Sequence, residues 1–135
     1  MNNNIGPHDL ETARYIVAPN GDGIVKAVTD MFYPELDSDF DGFKGHNLVQ
    51  KHCFTEAWPG WEMHPHGDEM VLLLSGDIDF VLWQQDQETV VRISEPGNYL
   101  VVPRGTWHTA RPHAPTELLF VTPGEGTRNA ASPTA

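Results

Sequence analysis

A single cysteine, Cys53, stands in 135 residues. That excludes an internal disulfide, fits a reducing compartment, and leaves the lone thiol to be read as a small buried apolar side chain without a role. Cationic side chains are scarce as well, with eight Lys and Arg against nineteen Asp and Glu and a formal net charge of −11. A field of that sign repels phosphate backbones and anionic headgroups, so neither nucleic acid nor a membrane is expected as a partner. It suits a cation. No window approaches the ~20 apolar residues a membrane helix needs, and Met1 to Asp9 lack a basic stretch followed by an apolar run. The expected location is the cytoplasm.

Long amphipathic stretches with a helical period are also missing. What replaces them is punctuation: twelve glycines and eleven prolines cut the chain into short apolar runs. Tyr15 to Val17 and Ile24 to Met31 flank the turn cluster Pro19 to Gly23 and read as a hairpin. Asn47 to Phe54, Met70 to Ser75, Ile78 to Trp83, Glu88 to Ile93, Tyr99 to Val102 and Glu117 to Val121 read as further strands. Tyr33 to Gly42, with acids at 35, 37, 39 and 41, lacks the spacing and closing glutamate of a calcium loop and reads as a solvated loop. Eight or nine strands at intervals near ten residues predict an all-β sandwich or barrel. The length fits one domain over 1–135, with its core at about 13–122 and loose tails at 1–12 and 123–135.

The chemistry-bearing residues concentrate between Trp61 and Gly76. Glu62, His64, His66 and Glu69 fall within eight positions. Side chains of an extended strand alternate faces, so Glu62, His64 and His66 share one direction. Pro65, Gly67 and Asp68 favour a turn, after which Glu69 opens a strand that faces back toward the same point. A second segment, Gly97 to His108, runs through a strand to a Pro-x-Gly turn and then presents His108.

These two segments resemble the paired motifs of the cupin family. G-x5-P-x-G-x2-H is matched without a gap from Gly97 to His108. The first motif keeps Glu69-x6-Gly76 and a His-x-His pair, but His66 lies three residues before Glu69, where the family has four or five. Two registers result. In one, His64 is the second histidine and Glu62 replaces the first; in the other, His64 and His66 are the pair and the turn is a residue short. The resemblance implies a single jelly-roll (double-stranded β-helix) cupin barrel, with metal ligands drawn from Glu62, His64, His66, Glu69 and His108. It also implies pairing into a homodimer through edge strands, with the N-terminal hairpin as the element for exchange.

Imidazole and carboxylate donors without thiolate suit Fe, Mn, Ni, Cu or Zn, and the cofactor expected is a divalent transition metal. Because histidine ligates only when neutral, occupancy should fall as pH drops toward ~6. Parity on the strand after Glu69 points Val71 and Leu73 inward, and parity with His108 does so for Thr106. With Trp61, Trp107 and Arg104 these make the expected pocket for a small-molecule ligand. His8, His46, His52 and His113 read as surface or satisfied polar groups. The functions in view are a cupin-type metalloenzyme of dioxygenase, isomerase or lyase type, and a non-catalytic module that binds a metal or small molecule.

Overall fold

A computed structural model describes residues 5–133. Its strands are β1 (Ala13–Val17), β2 (Gly23–Ala27), β3 (Asn47–Phe54), β4 (Trp61–Met63), β5 (Glu69–Ser75), β6 (Ile78–Gln84), β7 (Gln87–Ile93), β8 (Tyr99–Val102), β9 (His108–Pro112), β10 (Thr116–Thr122) and β11 (Arg128–Ala130). They form two antiparallel sheets, one ordered β2-β1-β3-β10-β5-β8 and the other β11-β4-β9-β6-β7. This is the two-sheet antiparallel architecture of a jelly-roll barrel.

The alternation of the strands explains the packing. In β5 the inward positions are Glu69, Val71 and Leu73, and in β10 they are Thr116, Leu118, Phe120 and Thr122. Val71, Leu73, Leu118 and Phe120 meet Ile78, Phe80, Leu82, Ile93, Leu100 and Val102 between the sheets, where most are almost wholly removed from water. Burial of apolar area at roughly 25 cal/mol per Å² is what holds the two layers together. The polar ends of the same inward rows, Glu69 and Thr122, lie at one end of this core.

The motif glycine Gly76 has a clear physical reason. Its φ is +107°, and a Cβ there would sit 2.5 Å from the Pro115 carbonyl oxygen. Only glycine fits where the β5–β6 turn meets the chain entering β10.

Three expectations are corrected. Tyr33 to Gly42 is not a solvated loop: Phe32–Asp39 form a helix, α1, followed by a 3-10 turn at Asp41–Phe43. Phe32 and Leu36, four residues apart on one helix face, pack with Ile16, Phe43 and Leu48 in a second small core over β1 and β3. Pro34 is tolerated because it falls in the first turn, where backbone N–H groups have no intrahelical partner. The tail after Thr122 is not loose throughout, since Arg128, Asn129 and Ala130 pair with Met63, Glu62 and Trp61 and so cover an edge of β4. The remainder of the expected tails at 1–4 and 134–135 lies outside the described residues. Cys53 is exposed, on the outward face of β3, and lies 3.5 Å from the Glu117 carboxylate. The hairpin β1–β2 pairs with β3 of its own chain.

Candidate metal centre

Three strands and the residue that follows one of them deliver four side chains to one point. Glu62 lies within β4, directly opposite His108 at the start of β9. His64 follows the last residue of β4, and Glu69 opens β5. One nitrogen or carboxylate oxygen atom from each of Glu62, His64, Glu69 and His108 falls within 4.8 Å of the other three. His64 Nε2 is 3.1 Å from Glu62 Oε1 and 3.3 Å from Glu69 Oε2, while His108 Nε2 is 3.6 Å and 3.3 Å from Glu62 Oε1 and Glu69 Oε1.

His66 is not brought to this point. The strand ends before Pro65, so the period of two that would align His66 with His64 is broken by the turn. A Cβ on Gly67 would lie 2.7 Å from the Pro123 ring, so this turn is pressed against the segment that follows β10. The His66 ring is 54% exposed, with Nε2 3.9 Å from Glu125. Of the two registers, the one that places Glu62 beside His64 is the one the fold builds.

The outer nitrogens of both converging rings are held. His108 Nδ1 is 3.0 Å from the carbonyl oxygen of Thr106, which can only accept, so Nδ1 carries the proton. His64 Nδ1 is 2.9 Å from Thr127 Oγ1. That hydroxyl donates its own proton to the Gly124 carbonyl, so it accepts from His64. Each ring therefore presents Nε2 inward, and in the neutral tautomer that atom is a free lone pair. Thr122 Oγ1 donates to Glu69 Oε2 and fixes the third side chain.

Electrostatics tie the four groups into one unit. Burial opposes charge on all of them, raising the carboxyls and lowering the imidazoles, but mutual contact prevails. Burial notwithstanding, the two histidines, His108 foremost, draw Glu62 down to about 2 and hold Glu69 below the carboxylate range. The two carboxylates in turn hold His64 and His108 up at about 9 against their burial. Even so, His64 Nε2, Glu69 Oε1 and His108 Nε2 are buried with no hydrogen bond of good geometry. Buried polar atoms are rarely left so. Converging, unsaturated nitrogen and oxygen donors with their outer atoms already bonded fit a divalent ion.

Beside the centre opens a cavity of ≈ 1430 Å³. One wall is the inward row of β3, Leu48, Gln50, His52 and Phe54, with Trp58, Phe120 and Tyr33 around it. Glu62 is the most accessible of the four side chains, 32% exposed against 4% or less for the others, and so stands on the cavity side.

The pocket expected from parity is largely displaced. Trp61 lines the cavity, but Val71 and Leu73 are inward at a level where the two sheets meet, so they belong to the core. Trp107 is buried on the far side, with the Arg128 guanidinium 5.9 Å above its ring. Thr106 lends its carbonyl to His108, and Arg104 is exposed with its backbone N–H donating to Asp68. Arg111, the other arginine near the motif, is held by Glu88. His52, read as a surface group, faces the cavity instead, while His46 and His113 are satisfied by the Lys44 carbonyl and Asp79. The residues missed, His52, Gln50, Trp58, Thr122 and Thr127, share no motif spacing. The signal available was the alternation of β3, whose polar inward row reads as an outward one.

No family model matches the chain, and no curated protein matches it in sequence. Solved structures match in fold. The chain is similar to a cupin-2 domain protein from Shewanella frigidimarina, with 17% identity over 57% of this chain and 70% of that one, at a TM-score of 0.48. It is similar to Peruvianin-I, a cysteine peptidase from Thevetia peruviana latex, with 16% identity over 61% and 54% and a TM-score of 0.51. A third is a cupin superfamily protein from Desulfitobacterium hafniense, with 18% identity over 56% and 65% and a TM-score of 0.46. The chain thus spans about half the length of Peruvianin-I and about two thirds of the other two. At these identities the likeness is one of fold alone.

Proposed function

We propose that this small cupin-type barrel is a metalloenzyme, holding a divalent transition ion on Glu62, His64, Glu69 and His108 and acting on a small organic molecule in the adjoining cavity. The observation that carries the reading is the convergence of three buried, unbonded donor atoms with Glu62 inside 4.8 Å. A divalent ion bound there supplies Lewis acidity and, for iron or manganese, redox chemistry, which covers the dioxygenase, isomerase and lyase types.

The chain's own residues supply the rest. Thr106 and Thr127 keep the proton of each imidazole on Nδ1 and so aim both Nε2 atoms inward. Glu69, wholly enclosed and bonded by Thr122, is the fixed anionic anchor. Glu62, reaching toward the cavity, is the ligand placed to meet substrate and to exchange a proton with it. Phe54, Trp58 and Phe120 exclude water from that side. Homodimerisation belongs to this reading as well, and sedimentation should give twice the 15.1 kDa of one chain.

Elemental mass spectrometry on untagged protein, purified without chelating resin, tests the central point. Near one equivalent of a transition metal per chain is expected. No uptake after reconstitution at neutral pH and again at pH 9 would sink the metalloenzyme reading.

A further inference from the structure

The cavity is lined without a single Lys or Arg among the described residues, whereas Asp37, Glu56, Glu62 and Glu69 all face it. The Arg14 guanidinium is not part of the lining. It lies 4.6 Å over the Phe32 ring and donates to the Tyr33 hydroxyl, which in turn donates to Gln50. If the centre is filled as proposed, its two carboxylates cancel the charge of a divalent ion, so no positive field is left to recruit an anion. Sites built to take carboxylates or phosphates normally present arginine or lysine to them. This one presents none.

The wall offers aromatic faces in their place. Phe54, Trp58 and Phe120 pack on one another with ring centroids 5.4 to 6.2 Å apart, and Trp58 continues to within 6.2 Å of the His108 ring. His52 stands beside them, 6.1 Å from both Phe54 and Phe120. Neither of its ring nitrogens is hydrogen-bonded to another described residue. Burial first, and then Arg14, hold its pKa below the ordinary value, so the ring is neutral at pH 7 and offers one donor and one acceptor. An imidazole in an aromatic wall, with both nitrogens unspent, is suited to a hydroxyl.

We infer that the cavity takes an uncharged aromatic molecule bearing a hydroxyl group, a phenol in the simplest case, with its ring against Phe54, Trp58 and Phe120 and its hydroxyl at His52. This names the substrate class for the proposed metalloenzyme and rests in part on that reading.

The test is a two-dimensional ¹H–¹⁵N NMR titration of the full chain, both zinc-loaded and chelator-treated, with phenol, benzoate and cyclohexanol. Phenol should bind at least about tenfold more tightly than either of the others, its shifts centred on Phe54, Trp58 and Phe120, since charge and loss of aromaticity each forfeit a contact. His52→Leu should weaken phenol by roughly five- to tenfold, the worth of one hydrogen bond, with zinc content unchanged, and His52→Gln should recover part of it. Benzoate or cyclohexanol binding as tightly as phenol would overturn the inference, as would wild-type phenol affinity in a folded His52→Leu. Failure to take up zinc with the phenol preference intact in the chelator-treated chain would sink the metal reading alone. Zinc uptake without that preference would sink this inference alone.

Discussion

Thr127 Oγ1 lies 2.9 Å from His64 Nδ1 while giving its own proton to the Gly124 carbonyl. The hydroxyl is thereby fixed as an acceptor, and it sets which nitrogen of His64 is free to face the centre. Thr127→Val removes the acceptor and keeps the shape, leaving Nδ1–H unpaired. Loss of such a partner typically costs ~10–100-fold in metal affinity. Competition against a chromogenic chelator should find a loss in that range for Thr127→Val and near-native affinity for Thr127→Ser; equal affinities would remove Thr127 from the site.

His108→Ala should abolish tight metal binding, because it takes away a fully enclosed donor between two carboxylates. Glu62→Gln should weaken binding by a smaller factor, since the amide oxygen remains but the charge does not. His66→Ala should leave metal content unchanged. A metal-free His66→Ala protein with a metal-replete Glu62→Gln protein would reverse the assignment.

The pH dependence of the metal-free protein follows from the same four groups, which titrate as one coupled unit. His64 and His108 are raised from 6.5 to about 9, so their contribution to stability is complete below 6.5 and is lost as pH rises through 9. Glu62 is lowered from 4.5 to about 2, so its contribution is present above 4.5 and is lost as pH falls through 2. Thermal unfolding of chelator-treated protein should thus show its highest Tm between 4.5 and 6.5, with a decline toward 9. A metal must displace those imidazole protons, so apparent affinity should keep rising up to about pH 9. An ordinary histidine would instead place the change near pH 6. An affinity that levels off at pH 7 would show the imidazoles to be unperturbed.

Gly76→Ala should destabilise the fold by about 1–3 kcal/mol or more, the usual cost of a residue forced into unfavourable backbone space, because the added Cβ also strikes the Pro115 carbonyl. Urea unfolding measures it. Gly97→Ala is the control for strain without collision, since nothing lies within 4 Å of a Cβ there.

The parts of this molecule that could be read in the sequence were those set by strand period and turn length. Glu62 and His64 share a face because they stand two positions apart, and Glu69 returns to it because Pro65 to Asp68 turn the chain. His66 obeys the same arithmetic on paper, but β4 ends at Met63 and the turn at Pro65 to Gly67 carries His66 away. The walls of the cavity were not legible. Gln50 and His52 point inward from β3, and a polar inward row is indistinguishable by pattern from a solvated one. Helix α1 escaped notice because only Phe32 and Leu36 carry its apolar face, with Pro34 and Glu35 between them and Asp37, Ser38 and Asp39 after. Three residues of β11 are too few to display any period.

The pairing of β11 with β4 also makes the C-terminal segment part of the site. Sixty-three positions separate His64 from the hydroxyl that orients it. Thr127 stands one residue before β11, so the strand that closes over β4 is also what holds that hydroxyl beside the ring. A chain cut short before Thr127 would keep all four converging side chains and lose the partner of one imidazole.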